Sequence, residues 1–239
     1  MIVKVLAVLF VADKVFCFFY CRFMEKLDAR RKAKREKLAC STPPTKVKRS
    51  VLKRIASQVV DHYAYGWMRF SVLTTGLIPS ATLRNLLYRF VYNAKISRKT
   101  VIMGSCEIRS PWNLHAGNCI VHNYCILDAR NGIFIADNVV FGGGVHVWTE
   151  EHDVNSPTFA VGPQNRGPVV IEPHAWICSD SRILPGVHVG EGAVLCSSGV
   201  ATKNLEAFGV YGGVPARKLR ERNRELSYTL PGRPHWHFF

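Results

Sequence analysis

The chain has 239 residues, 48% of them hydrophobic and 11% aromatic, and a net charge of +15. That make-up supports a sizeable buried core, one main domain with appendages, and excludes a disordered protein. Its eight cysteines form no CxxC pair or disulfide-framework spacing, and no small-residue cleavage site follows the apolar start, which points to a reducing, cytoplasmic setting.

In chain order, residues 2–21, IVKVLAVLFVADKVFCFFYC, are long enough to cross a bilayer, but Lys4 and the central Asp13 and Lys14 interrupt them. Each central charge costs about 2.5 to 3.5 kcal/mol on insertion scales, so an interfacial helix fits better than a spanning one. An apolar helix docked on a protein surface stays open as the other reading. Residues 22–54 then hold thirteen Lys or Arg against Glu25, Asp28 and Glu36, a surplus of +10 that leaves +5 for the rest of the chain. A basic run directly after an apolar one suggests an anionic membrane surface, and no nucleic-acid motif or stacking platform accompanies it. On that reading residues 1–38 are a separable membrane-binding segment whose removal leaves a folded protein.

Residues 39–50, ACSTPPTKVKRS, read as a linker, because paired prolines and small polar residues end the preceding helix. Ile78-Pro79-Ser80 then makes a helix start. Leu83, Leu86, Leu87, Phe90 and Val91 recur at helical spacing, with Arg84 and Arg89 on the other side. The apolar stripe is expected to cap the open end of a repeat segment that begins near residue 100.

That segment has period six, most plainly in its later part. Ile171, Ile177, Ile183, Val189 and Leu195 are six apart, with turn residues such as Pro173, Pro185, Gly186, Gly190 and Gly192 between them. Six is a multiple of the strand period and not of 3.6, so these side chains share a direction only along short extended segments broken by bends. This is the hexapeptide signature of a parallel β-helix. With three hexads per coil, Ile171 stacks on Val189, and Cys178 and Cys196 become small residues at equivalent places in successive coils rather than a disulfide. Upstream, Ile102, Ile108, Leu114, Ile120 and Ile126 keep the spacing, the register shifts by three at residues 128–132, and Ile135, Phe141 and Val147 resume it. Thirteen hexads make about four coils.

Between Val147 and Ile171 the repeat is broken by the insertion TEEHDVNSPTFAVGPQNRGPVV. Loops on a rigid repeat scaffold are where such proteins place function. The stretch WTEEHD, the hexads through HAWICSDSRILPGVHVGEGAVLCSSGVATK and the terminator GVYGGVPARKLRE resemble the hexapeptide-repeat acetyltransferases. The likeness is to the sugar O-acetyltransferase branch, with its maltose, galactoside and colanic-acid-type enzymes, over roughly residues 100–222. It implies a left-handed β-helix, a homotrimer, and acetyl-CoA as donor with no metal.

By the same resemblance His152 is the catalytic base. A sugar hydroxyl is a poor nucleophile, and a neutral imidazole can take its proton as it attacks a thioester. Trp176, Ser179, Ser197, Thr202, Lys203, Arg217 and Arg220 match coenzyme-contacting positions: small residues admit the thin pantetheine arm, and the basic ones suit phosphates. Asn123 and Asp128 match the acceptor side, where the register shift makes the correspondence ambiguous. Glu151 departs from the small residue that often precedes the histidine in maltose-type enzymes, which points to the polysaccharide branch.

Two rival functions fit the residues less well. A γ-carbonic-anhydrase-like hydratase binds zinc through three histidines, but His146 and His152, six apart, fit adjacent sides of a coil and no second close pair matches that ligand pattern. A noncatalytic scaffold has no need of His152, Lys203 and Arg217 together. The expected organisation is therefore residues 1–38 as the apolar and basic helical segment, 39–99 as linker and helical cap, 100–213 as β-helix with loop 149–170, and 214–239 as an extension whose Trp236 and Phe238 pack on a surface. The expected activity is acetyl transfer to a sugar of a capsule, exopolysaccharide or lipopolysaccharide precursor, with a free small sugar or amino sugar as the alternative acceptor. The expected place is the cytoplasm or the inner face of the cytoplasmic membrane.

Overall fold

The period-six repeat builds a three-faced parallel β-solenoid. A computed structural model describes residues 2–39 and 51–232; most of the expected linker, and Trp236 and Phe238, lie outside them. The first face stacks the strands Lys95–Ile96, Leu114–Ala116, Ile133–Ile135, Val169–Ile171 and His188–Val189. The second stacks Val101–Ile102, Ile120–Val121, Val140–Phe141, Trp176–Ile177, Val194–Leu195 and Gly209–Gly212, with the antiparallel strand Arg217–Glu221 on its edge. The third stacks Glu107–Arg109, Ile126–Asp128, His146–Val147, Arg182–Ile183 and Val200–Ala201.

At least one buried residue per strand points into the prism, and the first-face strands Leu114–Ala116, Ile133–Ile135 and Val169–Ile171 each add a second. Ile96, Ala116, Ile135, Ile171 and Val189 do so on the first face, and Ile102, Val121, Phe141, Ile177, Leu195 and Tyr211 on the second. Ile108, Leu127, Val147, Ile183 and Ala201 do so on the third. Leu205, bridged to Val189, begins a further turn. The stack is therefore close to six coils, not the four expected. Ile96 precedes the expected start at residue 100, and Ala201 and Tyr211 are inward residues that a search for branched aliphatics passes over.

The upstream register also differs. Ile120 and Ile126 are only half-buried, and Val121 and Leu127 take the inward places. The shift of three is shared between two corners: the 3-10 turn Pro111–Asn113, and residues 129–132, where Gly132 has φ of +100°. Only the downstream coils keep eighteen residues, as in Ile171 paired with Val189 and Ile183 with Ala201.

Each passage from the second to the third face turns on a residue with left-handed φ: Ser105, Tyr124, Gly144, Asp180 and Ser198. Outside glycine this conformation costs about 1 kcal/mol or more. Backbone bonds from coil to coil hold it, such as Gly144 N–H to the Asn123 carbonyl at 2.9 Å and Ser198 N–H to that of Ser179 at 3.0 Å. Cys178 and Cys196 sit on successive coils as half-buried free thiols.

Three helices cover the amino-terminal end: α1 (Ile2–Ala39), α2 (Val51–Gly76) and α3 (Ala81–Phe90). On α1, Lys14, Cys17 and Cys21 are buried and Tyr20 and Met24 pack beside them, spacings of three and four that mark one helical stripe. The remaining surface of α1 is open: Val8 is 67% exposed, Phe19 67% and Phe23 61%. Among the described residues no helix is long and apolar enough to cross a membrane. Cys17 and Cys21 share one core cluster with Met68, Val72 and Tyr92, so this stretch of α1 packs on the other helices rather than standing apart from them.

The two central charges that interrupt the apolar run, Asp13 and Lys14, face inward, while Lys4 is exposed. Lys14 Nζ meets Asp13 Oδ2 at 2.8 Å, Tyr92 OH at 2.8 Å, Ser71 Oγ at 3.0 Å and Thr75 Oγ1 at 3.1 Å. Burial works against the Lys14 charge, but the bonds to Asp13 and Tyr92 hold its pKa above the ordinary lysine value.

Helix α3 starts where the sequence places it, with Ser80 Oγ accepting from Leu83 N–H at 3.3 Å. Its stripe is split: Leu87 and Val91 pack against the core as expected, but the rest is rotated outward. Ala81, Arg84 and Tyr88 are buried, while Leu83, Leu86 and Phe90 are 43 to 57% exposed. Arg84 wins the inner position because its guanidinium donates to two backbone carbonyls, those of Ile78 and of Ile102 in the first coil.

Lys14→Met is expected to destabilise the protein by about 3 kcal/mol, because it leaves the half-buried Asp13 without its cation. Urea unfolding checks this, and the double substitution Asp13→Asn with Lys14→Met should cost less than Lys14→Met alone.

Candidate active site

The long insertion leaves the solenoid at the corner between the third and first faces. Glu150 and Arg166 form an antiparallel bridge that closes its foot, and the chain passes a 3-10 turn at Pro163–Asn165 before rejoining the first face at Val169. A buried polar cluster pins that foot. Thr149 Oγ1 donates to the Asp128 carbonyl at 2.7 Å and accepts from Asn131 N–H at 3.0 Å. Arg130 donates to the Asp128 carboxylate, 2.8 Å from Nε to Oδ1, and pairs with Glu150 through Nη1. The bond from Asp128 raises the Arg130 pKa above its usual value despite burial. Asp128 is wholly buried, also faces Arg109 at 3.7 Å, and presents no free carboxylate to a ligand.

His152 stands two residues beyond the foot, exposed on the loop. Its Nδ1 lies 2.6 Å from the Phe159 carbonyl, and its ring stacks on the Phe159 ring at 4.2 Å between centroids and 6° between planes. A carbonyl can only accept, so Nδ1 carries the hydrogen of the neutral ring, and Nε2 keeps a free lone pair. The loop sets this up: Asp153 N–H donates to the Ala160 carbonyl at 2.9 Å, and Phe159 adopts φ of +51°. The chemistry available is proton abstraction from a group brought to Nε2.

The other expected residues occupy a different part of the prism. Trp176, 48% exposed, lies on the second face between Val140 and Val194 of neighbouring coils. Ser179 and Ser197 are exposed at the corner between the second and third faces, above Asn123, which is half-buried and donates Nδ2–H to the Gly104 carbonyl at 3.3 Å. Gly142 leaves the room: a Cβ there would come within 2.4 Å of Ser179 N. Thr202 and Lys203 are exposed past the last third-face strand, and Arg217 and Arg220 on the edge strand of the second face. Lys218 takes the nearby carboxylates, Glu206 at 2.6 Å and Glu221 at 2.7 Å. Among the described residues, Lys203, Arg217 and Arg220 form no ion pair.

One chain therefore gathers Trp176, Ser179, Ser197 and Asn123 along the second face and its exit corner, and holds His152 at another corner. His146 lies on the third face and not beside His152; its ring meets Trp148 edge-on at 5.9 Å, and burial lowers its pKa, with the Arg182 charge assisting. Among the described residues no three potential ligands cluster for a metal ion. Phe159, Arg130, Glu150 and Arg166 escape the sequence reading. The only signal pointing to them is their place in or beside the insertion.

No family model matches the chain. It is 32% identical over 144 residues to WcaF of Escherichia coli K12, a protein assigned to colanic acid biosynthesis as an acetyltransferase, covering 57% of this chain and 78% of that one. It is 29% identical over 127 residues to the galactoside O-acetyltransferase of Lactococcus lactis, covering 50% and 61%. The fold matches that of a hexapeptide-repeat acetyltransferase from Vibrio cholerae solved with acetyl coenzyme A, with a TM-score of 0.58 and 20% identity over 64% of this chain and 83% of that one.

The ring geometry can be read directly. Nitrogen NMR of the neutral His152 imidazole is expected to show hydrogen on Nδ1, and Phe159→Ala, which keeps the backbone carbonyl and removes only the stacked ring, should keep that tautomer. A wild-type ring protonated on Nε2 contradicts the assignment.

Proposed function

We propose a function from one premise: this chain belongs to the hexapeptide-repeat acetyltransferases. The protein transfers an acetyl group from acetyl-CoA to a sugar hydroxyl in a surface polysaccharide precursor of the capsule, exopolysaccharide or lipopolysaccharide type. The observation that carries this reading is His152, whose Nδ1 is committed to the Phe159 carbonyl so that Nε2 is the basic atom.

The residues present fit the donor. The exposed Ser179 and Ser197 give the later coils of the corner between the second and third faces small side chains, which suits a thin arm, and Trp176 offers an apolar wall. Lys203, Arg217 and Arg220, without acidic partners among the described residues, suit phosphates. Acetyl-CoA supplies an acetyl group already activated as a thioester. His152 takes the hydroxyl proton at Nε2 as the oxygen attacks, and can return it to the departing sulfur; stacking on Phe159 holds the ring through both transfers.

Three finer points complete the proposal. A homotrimer supports catalysis, since His152 and the second-face residues sit at different corners of one prism and a threefold arrangement places the loop of one copy beside the second face of the next. The polysaccharide setting draws on the likeness to WcaF, whose name places it in colanic acid biosynthesis. Association with an anionic membrane draws on the open apolar surface of α1 and the basic residues that continue it.

His152→Ala is expected to lower turnover by about a hundredfold or more with coenzyme A binding and assembly nearly unchanged; near-normal turnover sinks the assignment. Lys203→Ala with Arg217→Ala should weaken coenzyme A in calorimetry, and less so dephospho-coenzyme A. Unchanged affinity for both counts against phosphate contacts by these two residues.

A further inference from the structure

A cleft of about 870 Å3 lies between α1, α2 and the corner joining the third and first faces, and the acetyl transfer described above makes no use of it. Its α1 wall carries Arg31, Lys32 and Arg35, and its coil wall carries Arg130 and Arg166. Most of its acids are spent. Glu25 pairs with Lys95 at 2.9 Å, Asp28 accepts from Trp112 Nε1 at 2.9 Å and meets Arg31 at 3.5 Å, and Glu150 pairs with Arg130. Against the remaining Asp61, three cations, Lys32, Arg35 and Arg166, form no ion pair among the described residues, although Arg166 Nη2 donates to the Val161 carbonyl at 2.7 Å and its Nε to that of Gly162 at 3.3 Å. Such a surplus in a partly enclosed place suits a phosphate or diphosphate.

The two ends of the cleft give the anion a context. Along α1 the cleft begins at Tyr20, beside an exposed apolar surface that includes Phe10, Phe16 and Phe19 and runs on to Phe23. At 1.5 Å per residue, Phe19 and Arg31 lie about 18 Å apart along the helix, so the basic residues follow the apolar ones on one continuous element. Helix α3 adds to the same apolar surface. Arg22 stacks over Phe18 at 3.5 Å and donates to the carbonyl of exposed Phe90 at 3.0 Å. At the far end, Glu150 and Arg166 line the cleft and also close the foot of the loop, with His152 two residues beyond Glu150.

We propose that this cleft receives the phosphate or diphosphate of a lipid-linked sugar, and that this membrane-borne molecule is the acetyl acceptor. The apolar helices rest in the bilayer surface, Lys32, Arg35 and Arg166 hold the phosphates where they leave the headgroup layer, and the attached sugar extends to the loop that carries His152. The inference rests on the acetyl-transfer reading and names its acceptor class. A soluble sugar needs neither the open apolar surface nor the unpaired cations beside it.

Flotation of the full chain with vesicles tests it. The probes are phosphatidylcholine vesicles alone, the same vesicles with a polyprenyl diphosphate, and the same vesicles with phosphatidylglycerol at equal negative charge. Binding to the polyprenyl diphosphate vesicles is expected to exceed that to the phosphatidylglycerol vesicles by about tenfold or more, and K32E with R35E should remove that advantage. Both side chains are exposed on α1, so an unchanged thermal unfolding profile accompanies the loss. Equal binding to the two anionic vesicles, an advantage that survives K32E with R35E, or no vesicle binding at all overturns the proposal. Coenzyme A affinity, read by calorimetry on the same samples, tests the acetyl-transfer reading separately.

Discussion

Each coil is held by its neighbours, through backbone hydrogen bonds between parallel strands and through inward side chains stacked on their equivalents. Neither is complete in a single coil, so the ends of the stack are where the structure is vulnerable. At the amino-terminal end the helices supply what a missing coil would. Ser105 N–H donates to the Gly76 carbonyl at 2.9 Å, and Arg84 reaches the Ile102 carbonyl at 3.3 Å. At the other end Tyr211 fills the second-face position, and the strand Arg217–Glu221 closes the edge in antiparallel fashion. Burying an arginine in α3 follows from this constraint: the first coil presents carbonyl oxygens, and a leucine cannot answer them.

The same stacking makes the prism a rigid frame on which loops are aimed. The insertion leaves a corner where Asp128, Arg130, Thr149 and Glu150 bind one another in a partly buried polar cluster, so its foot is fixed even though most of its residues are exposed. His152 sits close to that anchor, and Phe159 returns across the loop to fix its ring. Asp128 belongs to that frame, bonded to Arg130 and, through its carbonyl, to Thr149, and the ambiguous register around it reflects a coil longer than eighteen residues.

The helices serve two neighbours at once. One stripe of α1 completes the core, and the Asp13 and Lys14 charges turn into that stripe, where Ser71, Thr75 and Tyr92 satisfy them. Between Val5 and Phe23 the outward surface of α1 is left largely apolar as a result, and α3 adds Leu83, Leu86 and Phe90 to the exposed apolar surface.

Much of this was legible in the sequence, because a strand period of two leaves only one way to read aliphatic residues six apart from Ile171 to Leu195. The turn residues, the break after Val147 and the helix start at Ser80 were legible for the same local reason: backbone preference acts over a few residues. What only the tertiary structure decided depended on partners distant in the chain. Ile120 lost its inward place to Val121 because the corner at Pro111–Asn113 lengthens the coil before it. Arg84 took the buried side of α3 because the Ile102 carbonyl waits there, and Lys14 turned inward because Tyr92 lies 78 residues further on. His152 could be picked out by its neighbours in sequence, but which of its nitrogens carries the hydrogen was set by the Phe159 carbonyl, through a loop whose fold no periodicity encodes.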